Sequence, residues 1–348
     1  MFNINGIKVF HKKFGNGNIS SQNNSILTVK FKDGERKFQY PKIFTDGFLS
    51  TEDGQLNEII LKDSLQIKQE QEEREKSKDA QVSAIMERKL THSRKGGKCP
   101  HRNIAFKCNY CDGGNTTQRL GYNGVCSDVI IAHNIETAKR PWCSNEESPC
   151  MQYWNHEITR QELLEAMGVE TDQDSYICYE SQMLKNWRAF AGVINSGKRK
   201  GEPMHLENVK LNSLAILTTR LPNTEEKDRI IFAVFLVTDT FEGDASMAGY
   251  VALEPGSPYR LELTPTEAQK IKYWKYHANE SKPEKPAWGT GLHRYIEDEE
   301  AAMILRDIAE LRKCTRTEKQ SQRFFQYYCK VNGIDATIIK NPSGALNK

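Results

Sequence analysis

The first 50 residues alternate between apolar and polar side chains in the manner of short β-strands. A β-branched and aromatic run over 25–31 is followed by Asp33-Gly34, which predicts a hairpin turn, and then by a returning apolar run. An earlier turn is predicted at Gly15 to Asn18, because Gly and Asn tolerate positive φ angles. The pattern therefore predicts a small β module over residues 1–50.

The next 48 residues have a helical pattern. A short apolar face begins it, but the stretch 66–81 is rich in charge and has almost no large apolar side chains. Such a helix has little to bury, so we expect a solvated helical spacer over 51–98.

The remaining chain alternates helical and strand patterns. Thr159 and Glu162 fit a capping box at the start of one helix, and a second helix is predicted over 182–191. Continuous apolar runs over 213–219 and 229–237 predict buried strands. Later, Thr264 and Pro265 have the residue types of a helix start.

Two further elements are predicted near the end of the chain. The pattern over 298–311 is that of a helix, and the apolar run over 336–339 indicates a weak strand. Together the patterns predict an α+β multidomain protein. Its predicted domains are a barrel (1–50), a helical spacer (51–98), a Cys-rich metal-binding and helical region (99–206), and an α/β domain with a C-terminal helix (207–348).

Composition and charge narrow the function only slightly. The 348 residues are 38% hydrophobic, and no run approaches the roughly 20 apolar residues of a membrane span. With no secretory signal at the N-terminus, we expect a cytoplasmic protein without a membrane partner. The net charge of +3 is too small to predict a nucleic-acid partner. However, residues 1–50 contain eight basic and three acidic side chains, a net charge of +5.

The cysteines are more informative than the charge. Six of the nine lie between Cys99 and Cys150, whereas Cys178, Cys314 and Cys329 are scattered. In a reducing compartment, clustered cysteines more often bind metal than form disulfides. The predicted metal ligands are Cys99, His101, Cys108, Cys111, Cys126, Cys143 and Cys150.

Several ligand sets are open within this group. The C-x-x-C pair of Cys108 and Cys111, with Cys99 and His101, can complete a structural zinc site. The later cysteines can form a second group with His133 or His156. Alternatively, a four-cysteine shell can hold an iron–sulfur cluster. Its members would be Cys111, Cys126, Cys143 and Cys150. The simplest alternative is a set of buried free thiols.

A second constellation combines aromatic and basic residues in the C-terminal half. Aromatic rings can stack on bases while basic side chains contact phosphates. The predicted nucleic-acid-binding residues are Trp187, Arg188, Trp288, His293, Arg294 and Tyr295. Because glycines follow Trp288 in a turn-like segment, we expect its ring to be partly exposed. Ordinary core packing is the alternative for these aromatics. The catalytic motifs G-x-x-x-x-G-K-[ST], H-E-x-x-H and G-x-S-x-G do not occur.

Residues 6–40 resemble the Tudor-like domain that ends some superfamily-1 DNA helicases. The likeness rests on H-x-x-F-G-x-G from His11 to Gly17, followed by the strand Leu27 to Phe31 and by Asp33-Gly34. It implies a five-stranded SH3-like barrel that docks protein or nucleic acid. No helicase motor accompanies it, so no helicase activity is implied.

Residues 187–310 are similar to the PUA-like superfamily, which includes the EVE, ASCH and YTH domains. The likeness is in the order of strands at 212–217 and 229–237, then Gly249-Tyr250-Val251, then Trp288 to Tyr295. It implies a pseudo-barrel with an aromatic-lined pocket for RNA or a modified base. Trp187, Trp288 and Tyr295 would line that pocket.

These observations favour a non-catalytic protein that binds DNA or RNA, with modified-base reading as one form of that role. A structural zinc site would brace it, and the barrel would offer a surface to a protein partner. One alternative is a metal- or iron–sulfur-dependent nuclease of a defence system. Another is an adaptor in a transcription or repair complex.

Overall fold

The computed structural model describes residues 4–23, 26–66, 68–69, 103–114, 120–168, 178–194, 197–207, 209–289 and 291–348. Contacts divide the chain into two units, Met1–Ala84 and Ile85–Lys348, and the fold is mixed α+β. Most of the predicted spacer, together with Cys99 and His101, lies outside the described residues.

The first unit contains a five-stranded antiparallel sheet with the strand order β4-β3-β2-β1-β5. The strands are β1 (Lys8–His11), β2 (Gly15–Asn23), β3 (Ile26–Phe31), β4 (Gly34–Gln39) and β5 (Leu49–Ser50). Two helices follow β4 and β5, namely α1 (Lys42–Thr45) and α2 (54–66). The core forms because alternate apolar side chains of β3 point inward, where they meet apolar residues of α2.

Of the two turns predicted in this unit, one is confirmed and one is misplaced. Phe31 pairs with Gly34, so the predicted hairpin forms, with its turn at Lys32-Asp33, one residue before the predicted Asp33-Gly34. The turn predicted at Gly15 to Asn18 was wrong, because the chain turns at residues 12–14 and Gly15 already begins β2. Gly17 serves close packing instead: a Cβ there would lie 2.8 Å from the Phe31 ring.

The second unit contains two sheets. The larger is mixed, with the order β12-β9-β8-β6-β13, and the smaller is antiparallel, with the order β10-β11-β7. The strands are β6 (Asn103–Lys107), β7 (Arg188–Phe190), β8 (Leu214–Thr219), β9 (Ile230–Leu236), β10 (Asp239–Gly243), β11 (Ala248–Ala252), β12 (Arg260–Glu262) and β13 (His293–Ile296). The two continuous apolar runs are β8 and β9, and both are fully buried as predicted.

The sequence patterns did not reveal β6, which lies within the larger sheet. It pairs in parallel with β8 and antiparallel with β13. As a result, the predicted regions 99–206 and 207–348 share one sheet. The carboxyl ends of β6 and β8 also lie at the same edge of that sheet.

The second unit also contains helices. They are α3 (Asp128–Ala132), α4 (Pro149–Trp154), α5 (Arg160–Gly168), α6 (Tyr179–Asn186), α7 (Pro265–Lys270), α8 (Asp298–Leu311) and α9 (Glu318–Asn332), and a π-helical turn (His133–Thr137) follows α3. The predicted capping box of α5 is confirmed by Thr159 and Glu162, and Thr264 caps α7 as expected.

Two predictions about these elements were wrong. The helix predicted over 182–191 ends at Asn186, because Trp187 takes a left-handed conformation with φ 46° and the chain then enters β7. No strand forms at 336–339, where Asp335 instead accepts two hydrogen bonds from Thr337 in a turn. In the described ranges, no helix has both the length and the apolar character needed to cross a bilayer.

Candidate metal centre

Five cysteines line one cavity in the second unit, which we call the thiol cavity. The lining also includes the buried Glu180 and apolar side chains such as Ile131 and Trp142. The thiols come from the loop after β6, the loop before α3, the segment before α4, α4 itself and the start of α6. They belong to Cys111, Cys126, Cys143, Cys150 and Cys178.

Two local features hold the first pair of thiols together. The carboxylate of Asp112 accepts hydrogen bonds from the backbone N–H and the hydroxyl of Ser127, at 2.8 and 2.6 Å. These bonds tie the loop that carries Cys111 to the loop that carries Cys126. Gly121 permits a close approach, since a Cβ at this residue would lie 2.0 Å from the carbonyl oxygen of Cys111.

Helix starts place two further thiols. Ser148 caps α4 by accepting the Met151 N–H at 3.1 Å, and Pro149 at the first position is compatible with a helix start. This start directs Cys150 into the first turn. Cys178 is the residue that directly precedes α6.

The thiols differ in how readily they ionise. A hydrogen bond with the Cys126 thiol lowers the pKa of Cys111 against the effect of burial, and the backbone N–H groups of Gly113 and Tyr122 add to this. The pKa of Cys126 is raised in turn by the same pairing and by burial. Burial raises the pKa of Cys143 to about 12 and that of Cys150 to about 11. A single thiolate is therefore best accommodated within the Cys111–Cys126 pair.

The donor set fits a thiolate-bound metal. A metal cation favours the ionised thiol, so it would offset the cost that burial imposes on these groups. Among the residues that the structure describes, no three His, Cys, Asp or Glu side chains converge as ligands of a single ion. The thiols are instead distributed around a space.

Some of the metal ligands predicted from the sequence line the thiol cavity, and others lie elsewhere. Cys108 is not part of the lining; its buried sulfur lies 3.7 Å from the Met183 sulfur. His133 and His156 also lie outside the lining. Cys178, regarded as scattered from the sequence, is part of it. Because Cys178 is far along the chain from the other cysteines, the sequence did not indicate that it joins them.

Trp288 is buried, so the prediction of a partly exposed ring was wrong. Only 2% of it is exposed, and its Nε1–H donates to the Gly291 carbonyl at 2.7 Å. The surrounding side chains form what we call the Trp288 cluster. Its members are Trp288, Tyr273, Trp274, Arg229 and Arg294. The two guanidinium groups contact the ring, which explains why a turn-like segment with glycines still buries it.

The other predicted nucleic-acid-binding residues have separate surroundings. Trp187 is 7% exposed and packs against Phe235 and Arg260. Arg188 lies over the Tyr250 ring in the smaller sheet.

On β13, the ring centroids of His293 and Tyr295 are 5.6 Å apart, and the Tyr295 hydroxyl accepts the Glu207 N–H at 3.2 Å. Arg294, between them, donates to the Trp288 carbonyl. Thus Trp288 and Arg294 lie together, as do His293 and Tyr295, whereas the contacts of Trp187 belong to another part of the unit.

Three cations, Lys107, Arg140 and Arg220, act electrostatically on one another near the thiol cavity, although none belongs to its lining. The pKa of Arg140 is lowered by burial and by repulsion from Arg220, and Arg140 also acts electrostatically on Cys143. Burial lowers the pKa of Lys107, and the charges of Arg229, Arg220 and Arg140 add to the effect. Lys107 and Arg140 were not predicted from the sequence, because an isolated basic residue belongs to no recognisable motif.

Comparison of the chain with protein-family models, curated proteins and solved structures gave no match in any of the three. The function is therefore inferred from the geometry of the site.

Proposed function

We propose that the chain is a nucleic-acid-binding protein in which Cys111, Cys126, Cys143 and Cys150 hold a metal centre. The observation that carries the proposal is the thiol cavity, whose lining combines these four thiols from separate loops and helices. Four cysteines are the usual ligand shell of both structural zinc and iron–sulfur clusters. Cys178 supplies a fifth thiol beside this shell.

The four-cysteine set suits zinc and an iron–sulfur cluster alike, so both occupants are tested. A zinc ion needs its four ligands to meet at one point, whereas a cluster has several metal atoms and bridging sulfides for its ligands to surround. Backbone N–H groups directed at the Cys111 sulfur suit both occupants, since such bonds stabilise a thiolate. In either case the metal would connect loops that have few apolar residues of their own.

The nucleic-acid part of the proposal is supported by the cations beside the cavity. Lys107, Arg140 and Arg220 supply positive charge at the edge of the larger sheet, where DNA or RNA phosphates could be bound. Two resemblances also remain proposals: the Tudor-like, SH3-like nature of the first unit and the PUA-like nature of the second. The buried rings of Trp187 and Trp288 do not provide an open stacking surface in this conformation.

The metal part is tested by purifying the full chain without oxygen and measuring iron, acid-labile sulfide and zinc. We expect iron and sulfide with broad visible absorption, or stoichiometric zinc in a colourless sample. Cys126→Ser should lose most of the metal, whereas the matched variant Cys314→Ser, at an exposed thiol, should keep it. Full metal content in Cys126→Ser would contradict the assignment.

The nucleic-acid part is tested separately with labelled single-stranded DNA and RNA at low salt. We expect binding that weakens as salt rises, because phosphate contacts release counterions. If neither strand binds the metal-loaded protein, the nucleic-acid proposal fails while the metal centre stands.

A further inference from the structure

Two cationic side chains leave the larger sheet at one edge, and a third cation approaches them from the region of the thiol cavity. Lys107 is the last residue of β6, and Arg220 directly follows β8. The two strands are parallel neighbours, with Lys107 paired to Thr218, so the two residues are close in space. Arg140 approaches them from the segment after the π-helical turn. Carboxyl ends of parallel strands are common ligand sites in sheets of this kind.

The nearest carboxylate is already occupied by another cation. Glu226 accepts hydrogen bonds from Nε and Nη2 of Arg229 at 2.5 and 3.0 Å, and from Trp274 Nε1 at 3.2 Å. Arg220 forms an ion pair with this same carboxylate at 3.6 Å. The single charge of Glu226 is therefore shared by two guanidinium groups.

Glu180, which also acts on Arg140, is buried and accepts a hydrogen bond from the Asn109 amide at 3.0 Å. Glu226 and Glu180 are thus two carboxylates among four cations, namely Lys107, Arg140, Arg220 and Arg229.

Donor capacity remains on the same three side chains. Within the described ranges, the buried Nε of Arg140 has no hydrogen-bond partner. Lys107 Nζ lies 3.5 Å from the Gly289 carbonyl, which is at the limit of a hydrogen bond. Arg220 uses Nη1 for the Thr224 carbonyl at 3.2 Å. An anion with several acceptor oxygens would satisfy what these groups lack.

We propose that Lys107, Arg140 and Arg220 bind a phosphate group at the border of the thiol cavity. Guanidinium and ammonium groups form charge-assisted hydrogen bonds to phosphate oxygens. Three such groups match the several oxygens of a phosphate better than the two oxygens of a carboxylate. This inference rests on the proposed function, because it assigns the phosphate to a DNA or RNA strand. A free phosphate anion has the same chemistry, and the experiment distinguishes the two.

The test uses the full chain with its metal, and the variants Arg140→Gln and Arg220→Gln. The control is Lys227→Gln, which removes an exposed charge whose partner is Glu225. Fluorescence anisotropy of a labelled single-stranded oligonucleotide is measured across a range of salt concentrations. We expect each variant to bind about tenfold more weakly and to lower the salt slope by about one, while the control is unchanged.

Charge-preserving and folding controls keep the result interpretable. Arg140→Lys should recover part of the affinity, and thermal unfolding shows which variants are folded. If Arg140→Gln does not fold, Lys107→Gln takes its place, because that side chain is only half-buried. Folded variants that bind the oligonucleotide like the original chain would overturn the phosphate site and leave nucleic-acid binding intact.

A second arm covers the case in which the original chain binds no oligonucleotide. Inorganic pyrophosphate is then titrated calorimetrically. Binding that is lost in Arg220→Gln would support the phosphate site with a free anion as its ligand, although the proposed function would have failed. The absence of measurable binding to the original chain would overturn the site as well.

Discussion

The thiol cavity and the Trp288 cluster both lie in the second unit, yet one lines a space and the other encloses a buried ring. In the Trp288 cluster, the indole N–H donates to the Gly291 carbonyl, and the guanidinium groups of Arg229 and Arg294 lie against the ring. In the thiol cavity, five cysteines from separate loops and helices line one space. A ring enclosed by its neighbours belongs to the core, whereas several metal-ligating side chains around one cavity are the arrangement of a ligand site.

This difference changes the role expected of the aromatic residues, from ligand binding to core packing. Trp288 was expected to meet a ligand, but its contacts make it a core residue that positions the strand β13 and the ion pair of Arg229 with Glu226. Changes in the Trp288 cluster should therefore lower the free energy of unfolding more than removal of a thiol near the thiol cavity.

Trp288→Ala should have the largest effect on stability. Removing a fully buried indole costs about 3–5 kcal/mol, and here it also leaves two guanidinium groups without the ring. Urea denaturation measures this loss, and Trp154→Ala, at a partly exposed ring, is the matched control with a much smaller expected loss. Equal free energies of unfolding for the two variants would show that the ring is not a core element.

Glu226→Gln should have the next largest effect, about 3 kcal/mol at neutral pH, because it leaves the buried Arg229 without its charged partner. Burial alone would raise the pKa of Glu226, but hydrogen bonds and charge from Arg229 outweigh it and lower the pKa.

Stability from this carboxylate is therefore present above its unfolded pKa, near 4.3, and is lost as pH falls through the lower folded value. The acid sensitivity in that window should diminish in Glu226→Gln, as measured by urea denaturation from pH 6 down to about pH 3. An identical pH dependence in the variant would contradict the pairing.

Cys108→Ala should have the smallest effect, about 1 kcal/mol, with no loss of metal. Its sulfur contacts Met183 and lies outside the thiol cavity, although it belongs to the C-x-x-C pair that the sequence emphasised. Metal analysis next to unfolding measurements checks both points. If Cys108→Ala loses as much metal as Cys126→Ser, the ligand set chosen from the cavity is wrong.

Sequence analysis predicted the elements with strong local signals. Continuous apolar runs gave β8 and β9, and capping residues gave the starts of α5 and α7. The strand β6 was missed because five residues are too few for periodicity to distinguish a strand from a loop. What places it in the sheet is pairing with strands more than a hundred residues away.

The candidate site was predicted in part for the same reason. The local density of cysteines indicated a metal region, and four of its members line the cavity. Cys178 was missed because only the tertiary fold brings the start of α6 to that cavity. The burial of Trp288 depends on Arg229, which is distant in sequence, so local glycines were a misleading guide to exposure.

X-ray absorption spectroscopy of the anaerobically purified protein identifies the atoms bound to the metal. We expect a metal, iron or zinc, whose nearest ligands are all sulfur, with metal–sulfur distances of about 2.3 Å in the case of zinc. A shell that contains nitrogen or oxygen from the protein, or a chain that purifies without bound metal, would contradict the four-cysteine centre.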